Sequence, residues 1–272
     1  MASLSDALSS VRDQSDNTLH IVNISGGKDS AALAVYIRTK YPEIHDTAEY
    51  VFCDTECELE ETEQYLENLE SFLSKKIKRL NARDSFDIRL KPGKRKPFDV
   101  FLEEKFGGYL PSPQSRWCTR ALKIEPFERF VGQRTAYSYI GIRADENRDG
   151  YLAKKPPSLS NKQNIIPVYP FRDDGLGLAD IKMLLESNGV GLPSYYEWRS
   201  RSGCYFCFYQ QIGEWQRLKK NHPDLFEKAK DYERLSEGFT WCEGRTLDEI
   251  AALPEQPLPI LDESSGCAIC HL

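Results

Sequence analysis

Apolar positions are grouped in two alternating periods along this chain. A short, mostly apolar run from Leu19 to Ile24 has the length of a buried strand. It is followed by two glycines and a stretch of helix formers in which Leu33, Tyr36 and Ile37 fall on one face. Further strands are predicted at Glu49 to Cys53, Ile77 to Leu80, Tyr137 to Ile142 and Ile165 to Tyr169. Between them, Leu59, Thr62, Leu66, Leu69 and Leu73 mark the inner face of an amphipathic helix whose outer face is dense in Glu. Phe98 to Phe106 reads as helical, and Leu178, Ile181, Leu184 and Leu185 form the buried stripe of a helix over 178–188. At the start, Leu4, Leu8 and Val11 have helical spacing. Near the end, a helix is predicted over 212–235 with Trp215, Leu218, Leu225, Ala229, Tyr232 and Leu235 inward. Strands alternating with helices predict an α/β fold: a Rossmann-like parallel sheet with helices on both faces, plus a C-terminal, cysteine-containing helical extension. The expected division is an α/β domain over 1–192 and an aromatic- and Cys-rich region over 193–272 packed on it.

Composition narrows the class. At 272 residues the chain is long for one domain and suits a domain with an appendage. No window has the length and apolarity of a membrane span, and the N-terminus lacks the basic and apolar regions of a signal peptide, so a cytoplasmic protein with no membrane partner is expected. The net charge of −6 argues against a general nucleic-acid binder. The charge is uneven, however. Lys75, Lys76, Lys78, Arg79, Arg83, Arg89, Lys91, Lys94, Arg95 and Lys96 face only Asp84 and Asp87 in the same stretch. Such a run is either a solvated loop or a surface for a polyanion. Residues 150–164, rich in Pro, Ser and Lys, read as an exposed loop.

The chemistry starts at Ser25-Gly26-Gly27-Lys28-Asp29-Ser30. A strand, a glycine turn and a helix start point backbone N–H groups and the positive helix end at an anion. Adjacent glycines let the backbone approach a phosphate closely. The G-x-x-x-x-G-K-[ST] spacing of a Walker loop is absent. The hexapeptide instead resembles the pyrophosphate loop of the ATP pyrophosphatases, the superfamily of PAPS reductases, GMP synthetases and many tRNA thiolases, with its HUP-type Rossmann-like sheet. Asp54-Thr55 at the end of the second strand, with Thr62 beyond, resembles the Asp-Thr…Glu-Thr stretch of PAPS reductases. Asp54 is either a nucleotide contact or an N-cap. Arg116-Trp117-Cys118-Thr119 with Lys123-Ile124-Glu125-Pro126 resembles the PAPS-reductase-like branch, closest to the DNA phosphorothioation component of DndC and SspD type. Gly141-Ile142-Arg143-Ala144-Asp145-Glu146 resembles the same branch's arginine segment.

Eight cysteines in a reducing compartment favour metal or redox chemistry over disulfides. Cys204-x-x-Cys207 and Cys267-x-x-Cys270 can together supply four thiolates to Zn2+. The alternative is a [4Fe-4S] cluster, because the placement of Cys118 before Cys204 resembles iron–sulfur APS reductases. Trp117 replaces one cysteine of that pattern, so the fourth ligand would be Cys267 or Cys270, with Cys242 behind them. Cations beside Cys118 favour its thiolate. Cys270-His271-Leu272 faintly resembles the terminal segment of PAPS reductases, whose cysteine attacks sulfur. Cys53 and Cys57 read as structural. Around Cys204, Tyr195, Tyr196, Trp198, Tyr205, Phe206, Phe208 and Tyr209 with Arg199 and Arg201 are either a base-stacking surface or a core around a metal.

The resemblance implies an enzyme: an ATP pyrophosphatase and sulfurtransferase with ATP and Mg2+ at the loop. Catalytic roles would fall to Lys28, Asp29 and Arg143. Ser25, Gly26, Gly27, Lys28, Asp29, Ser30, Asp54 and Arg116 would bind the nucleotide, and Cys118, Cys204, Cys207, Cys267 and Cys270 a metal or cluster. DNA is the implied acceptor, a cysteine desulfurase the sulfur donor, and other modification proteins the partners. An assimilatory APS or PAPS reductase, a tRNA thiolase and a non-catalytic nucleic-acid module are the alternatives. A structure soaked with nucleotide that places ATP elsewhere, or leaves Ser25 to Ser30 packed shut against protein, would remove the basis of the ATP chemistry.

Overall fold

The computed structural model describes residues 3–13, 18–85, 95–146, 162–236 and 238–257. Cys267, Cys270 and His271, the loop positions 150–161, and Arg89, Lys91 and Lys94 of the basic run lie outside them. Five strands, β1 (Thr18–Ile24), β2 (Glu49–Asp54), β3 (Ile77–Asn81), β4 (Thr135–Tyr139) and β5 (Ile165–Val168), form one sheet in the order β3-β2-β1-β4-β5. All four pairings are parallel.

Side-chain alternation sorts the strands between two cores. Val22 and Ile24 of β1 with Tyr50 and Phe52 of β2 join the cluster made with α1 (Leu4–Arg12), α2 (Lys28–Lys40), α4 (Glu60–Leu73) and the Leu178–Ser187 helix. Ile21, Val51 and Cys53 point to the other face, where Phe127 and Val131 of the Glu125–Val131 helix cover them. Helices therefore lie on both faces, as the α/β pattern predicts. α3 (Pro42–Thr47) continues α2 toward β2. A third, aromatic cluster gathers Phe98, Trp117, Tyr205, Phe206, Trp215 and Trp241 beyond the sheet, with the rings of Phe98 and Phe206 4.3 Å apart.

Three predicted elements differ. β4 stops at Tyr139, three residues short of the expected end, because its last ladder contact is Ile140 N–H to the Val168 carbonyl and a tight Ile142-to-Ile140 turn follows. The helix over 212–235 is two helices, Ile212–Asn221 and Pro223–Leu235. Pro223 has no N–H to continue the first, and it holds His222 outside helical geometry at φ −137° and ψ 69°. The break rotates the second helix, so Phe226 is buried and Leu235, expected inward, is 59% exposed. Phe98 to Phe106 is a short helix at Pro97–Val100 followed by a π-turn over Phe101–Lys105.

Five of the seven described members of the basic run are paired with carboxylates. Lys76 pairs with Glu70, Lys78 with Glu49, Arg79 with Glu63 and Asp54, Arg83 with Glu56, and Arg95 with Glu103 and Glu104. Lys75 caps carbonyls at the end of α3, and Lys96 donates to the Glu56 carbonyl. Among the described residues no helix is long and apolar enough to cross a membrane.

Candidate active site

Strand order reverses between β1 and β4, and open α/β sheets bind ligands at the carboxyl end of such a switch point. The hexapeptide after β1 lies there. Its shape is set by Ser30: the Ser25 N–H donates to the Ser30 hydroxyl at 3.0 Å, and that hydroxyl donates to the Gly27 carbonyl at 3.0 Å. The Ser25 hydroxyl lies 3.0 Å from the same oxygen. Gly26 has φ +74°, and a Cβ on it would stand 2.5 Å from Thr62 Cγ2. α2 starts at Lys28 with no side chain capping it from Gly27.

The segment after β4 closes on this loop. Gly141 passes so near that a Cβ would be 2.7 Å from the Asp29 carbonyl oxygen. That approach delivers Arg143, whose Nη1 donates to Asp29 Oδ1 at 2.9 Å and whose Nε donates to Asp145 Oδ1 at 2.9 Å. Lys28 Nζ donates to Asp29 Oδ2 at 2.8 Å. Asp29 is thus a buried carboxylate between two buried cations. Burial opposes the Arg143 charge, but Asp29 and Asp145 outweigh it and hold the guanidinium's pKa above its ordinary value. Both oxygens of Asp29 are engaged and Asp145 takes Arg143 Nε, so the two cations are matched by two carboxylates within the buried group.

All of Ser25 to Ser30 is buried, and a covering turn is the reason. In the 3-10 turn Ser194–Glu197, the Tyr195 hydroxyl donates to the Gly26 carbonyl at 2.7 Å, and the Tyr196 hydroxyl accepts the Lys28 N–H at 3.2 Å. The Ser202 hydroxyl sits where a Cβ on Gly27 would reach it at 2.8 Å. The hexapeptide loop is covered, and neither tyrosine nor Ser202 belongs to a motif that marks it in sequence. Thr62, beside Gly26, has a buried Oγ1 with no hydrogen-bond partner.

Asp54 and Arg116 contact other groups. Asp54 Oδ1 accepts the Glu56 N–H at 2.8 Å and Oδ2 lies 3.7 Å from Arg79. Asp54 is not an N-cap either: α4 starts six residues later, capped by Leu59 without a side-chain bond. Arg116 lies over the Tyr209 ring at 6.0 Å, with Arg201 over the same ring at 4.8 Å.

Cys118, Cys204 and Cys207 line one cavity with Thr55, Lys123 and Phe208. Its volume is about 40 Å³, room for an ion or a few waters. The Thr55 hydroxyl donates to Glu58 at 2.7 Å, which leaves the Cys204 thiol as the donor in its 3.2 Å contact with that hydroxyl. Burial pushes the Cys204 thiol well up, and Glu58 adds to the shift against the opposing pull of Lys123. Both effects favour the neutral thiol of Cys204. Cys53 and Cys57 are buried in the core; Cys53 bonds the Lys123 carbonyl, and burial pushes its thiol up to about 12. Among the described residues no three His, Cys, Asp or Glu side chains are gathered closely enough to hold an ion. The donor chemistry at the cavity, three soft thiols, matches Zn2+ or an iron–sulfur cluster. Its volume has room for an ion, but its lining side chains are not gathered around a common point.

A profile of the phosphoadenosine phosphosulfate reductase domain matches residues 20–218. The chain belongs to this family. Within this PAPS reductase domain the matched span takes in the loop at Ser25, the Arg116 and Arg143 segments and the Cys204–Cys207 pair. Two relatives from Methanocaldococcus jannaschii, both uncharacterised, are 26% and 27% identical over 76% and 77% of this chain. The chain spans 40% and 46% of their lengths. An uncharacterised 37.8 kDa protein of Escherichia phage 186 is 26% identical over 81% of the chain and 76% of its own length. Among solved structures, a PAPS reductase of Candida auris in a phosphate complex aligns over 75% of this chain and 88% of its own, with TM-score 0.47 and 14% identity. The U34-tRNA thiolase of Methanococcus maripaludis, solved with its [4Fe-4S] cluster, aligns over 87% and 80%, with TM-score 0.39 and 15% identity.

Proposed function

We propose that this PAPS-reductase-family chain is an ATP pyrophosphatase acting in sulfur transfer. An oxygen of the acceptor attacks the α-phosphorus of ATP, the bond from that phosphorus to the bridging oxygen breaks, and pyrophosphate leaves with the electron pair. The acceptor oxygen, now carrying AMP, has become a good leaving group. A sulfur nucleophile then displaces AMP and takes the oxygen's place. The observation that carries this reading is the buried Lys28–Asp29–Arg143 cluster, held against a glycine loop at the sheet's switch point.

The residues have distinct roles. Gly26 and Gly27 bring backbone N–H groups to the β- and γ-phosphates, and Ser25 and Ser30 hold the loop in shape. Lys28 and Arg143 balance the charge that grows on the leaving pyrophosphate, an electrostatic effect that is largest in a buried site. Asp29 is the carboxylate that a phosphate-bound Mg2+ would share with them. Asp54 and Arg116 are proposed to meet the nucleotide once it is bound. Cys118, Cys204 and Cys207, with Cys267 or Cys270, would hold Zn2+ or a [4Fe-4S] cluster, which supplies a sulfur- or thiolate-binding Lewis acid when present.

The resemblance of the Arg116-to-Pro126 segment favours a DNA backbone phosphate as acceptor, with a cysteine desulfurase supplying sulfur in the cytoplasm. Most described members of the basic run are already paired with carboxylates, and DNA phosphates would compete with those pairs. Pyrophosphate release from ATP, measured with DNA duplex or tRNA as acceptor, tests the assignment. Lys28→Ala and Asp29→Ala are each expected to lower it at least about 100-fold, and undiminished turnover overturns the role given to the loop. A second reading, reduction of PAPS or APS, is favoured by the family match itself. Sulfite formation from either compound with thioredoxin, in the absence of ATP, would establish it in place of the first.

A further inference from the structure

The segment from Ser194 to Cys207 touches both halves of the site. At one end Tyr195, Tyr196 and Ser202 cover the loop. At the other, Cys204 and Cys207 line the thiol cavity. Between them the chain is cross-braced. The buried Arg199 donates through Nη1 to the Gly203 carbonyl at 3.2 Å and through Nη2 to the Cys204 carbonyl at 2.9 Å. The Ser200 amide and hydroxyl both donate to Glu214. Arg199 thus ties the middle of the strap to the backbone at Cys204, a direct link between its two ends, and Glu214 fixes the strap to the Ile212–Asn221 helix.

The Tyr196 hydroxyl holds the Lys28 N–H, the first amide of α2, where an incoming phosphate oxygen needs a donor. The two acceptors cannot share that single hydrogen at full strength. We propose that Tyr196 is a positioning residue: its hydroxyl stands in for phosphate on the empty loop, and its displacement by a polyphosphate shifts the strap and widens the cysteine cavity. This rests on the loop being a phosphate site. It accounts with one movement for a covered loop and for a cavity whose lining side chains are not gathered around a common point.

Calorimetry with α,β-methylene-ATP on the full-length protein tests it. Tyr196→Phe removes the competing acceptor and keeps the ring, so the variant is expected to bind about fivefold tighter than the parent, the loss of one hydrogen bond from the free state. Equal or weaker binding overturns the stand-in role; weaker binding would make Tyr196 a direct ligand. Hydrogen exchange on the parent protein supplies the second readout. Amides of 199–207 are expected to exchange severalfold faster with the analogue bound, although ligands ordinarily protect. Unchanged or slower exchange there removes the link to the cavity. If neither protein binds the analogue, the phosphate-site reading fails first and this inference falls with it.

Discussion

Gly141 shows how much one missing side chain decides at this site. It lets the turn after β4 come within van der Waals range of the loop's own backbone, and so carries Arg143 to Asp29. A methyl there meets a carbonyl oxygen of the helix start, which cannot swing aside. Gly141→Ala is expected to cost about 1–3 kcal/mol, read as a lowered urea midpoint, and to weaken nucleotide binding because Arg143 is pushed away. Retention of both properties would show that the two loops are not held as tightly as these distances require.

His20 offers a different kind of test. Its ring is buried in β1, stacked on Tyr137 at 5.2 Å and bonded to the Tyr139 hydroxyl at 2.8 Å. Burial lowers its pKa from 6.5 to about 4. The unfolded chain therefore binds the proton more readily between these values, and stability is expected to fall as pH drops from about 6.5 toward 4. The loss has an upper bound of about 3 kcal/mol. His20→Phe should flatten that part of the stability–pH curve, whereas an unchanged slope would assign the acid sensitivity to other groups.

Among the elements, the Ile212–Asn221 helix depends on one buried carboxylate. Glu214 accepts the Gln211 N–H at 2.8 Å as a capping group and the Ser200 N–H at 2.6 Å from the strap. Glu214→Ala strands both amides. An expected loss of about 2–3 kcal/mol follows, visible in thermal unfolding, with faster hydrogen exchange at 199–202. The same helix shows why periodicity misplaces elements. Apolar spacing runs unbroken through 212–235, yet Pro223 stops the ladder, and the face presented after it is set by the angle of the break. β4 was misjudged for a related reason: Ile140 and Ile142 are as apolar as the strand, but they are buried in the turn that reaches the loop.

At the scale of the whole molecule, the glycine loop at the switch point and a thiol cavity share one strap. Cys118, at the middle of the family span, and Cys204, near its end, meet because the 194–207 segment folds back over the sheet's carboxyl edge. If this cavity holds the metal, Cys118→Ser, Cys204→Ser and Cys207→Ser will each lower the iron or zinc bound per chain in anaerobically purified protein, measured by elemental analysis. Cys53→Ser will leave it unchanged. Equal metal content in all four would place the metal elsewhere.

Strand and helix periods, the glycine pair and its neighbours were sufficient to predict the parallel sheet, the site of the loop and the family, because these follow from local burial patterns and from backbone conformations that few residues allow. Lys28, Asp29 and Arg143 stand beside turns that the sequence displays, and the structure brings the three side chains together. Only the tertiary structure decided that Tyr195, Tyr196 and Ser202 close the loop, that Gly141 admits Arg143 to it, and that Asp54 is tied to Arg79. Those contacts join positions far apart in the chain through single hydrogen bonds and close approaches, which leave no period or fixed spacing for a sequence to display.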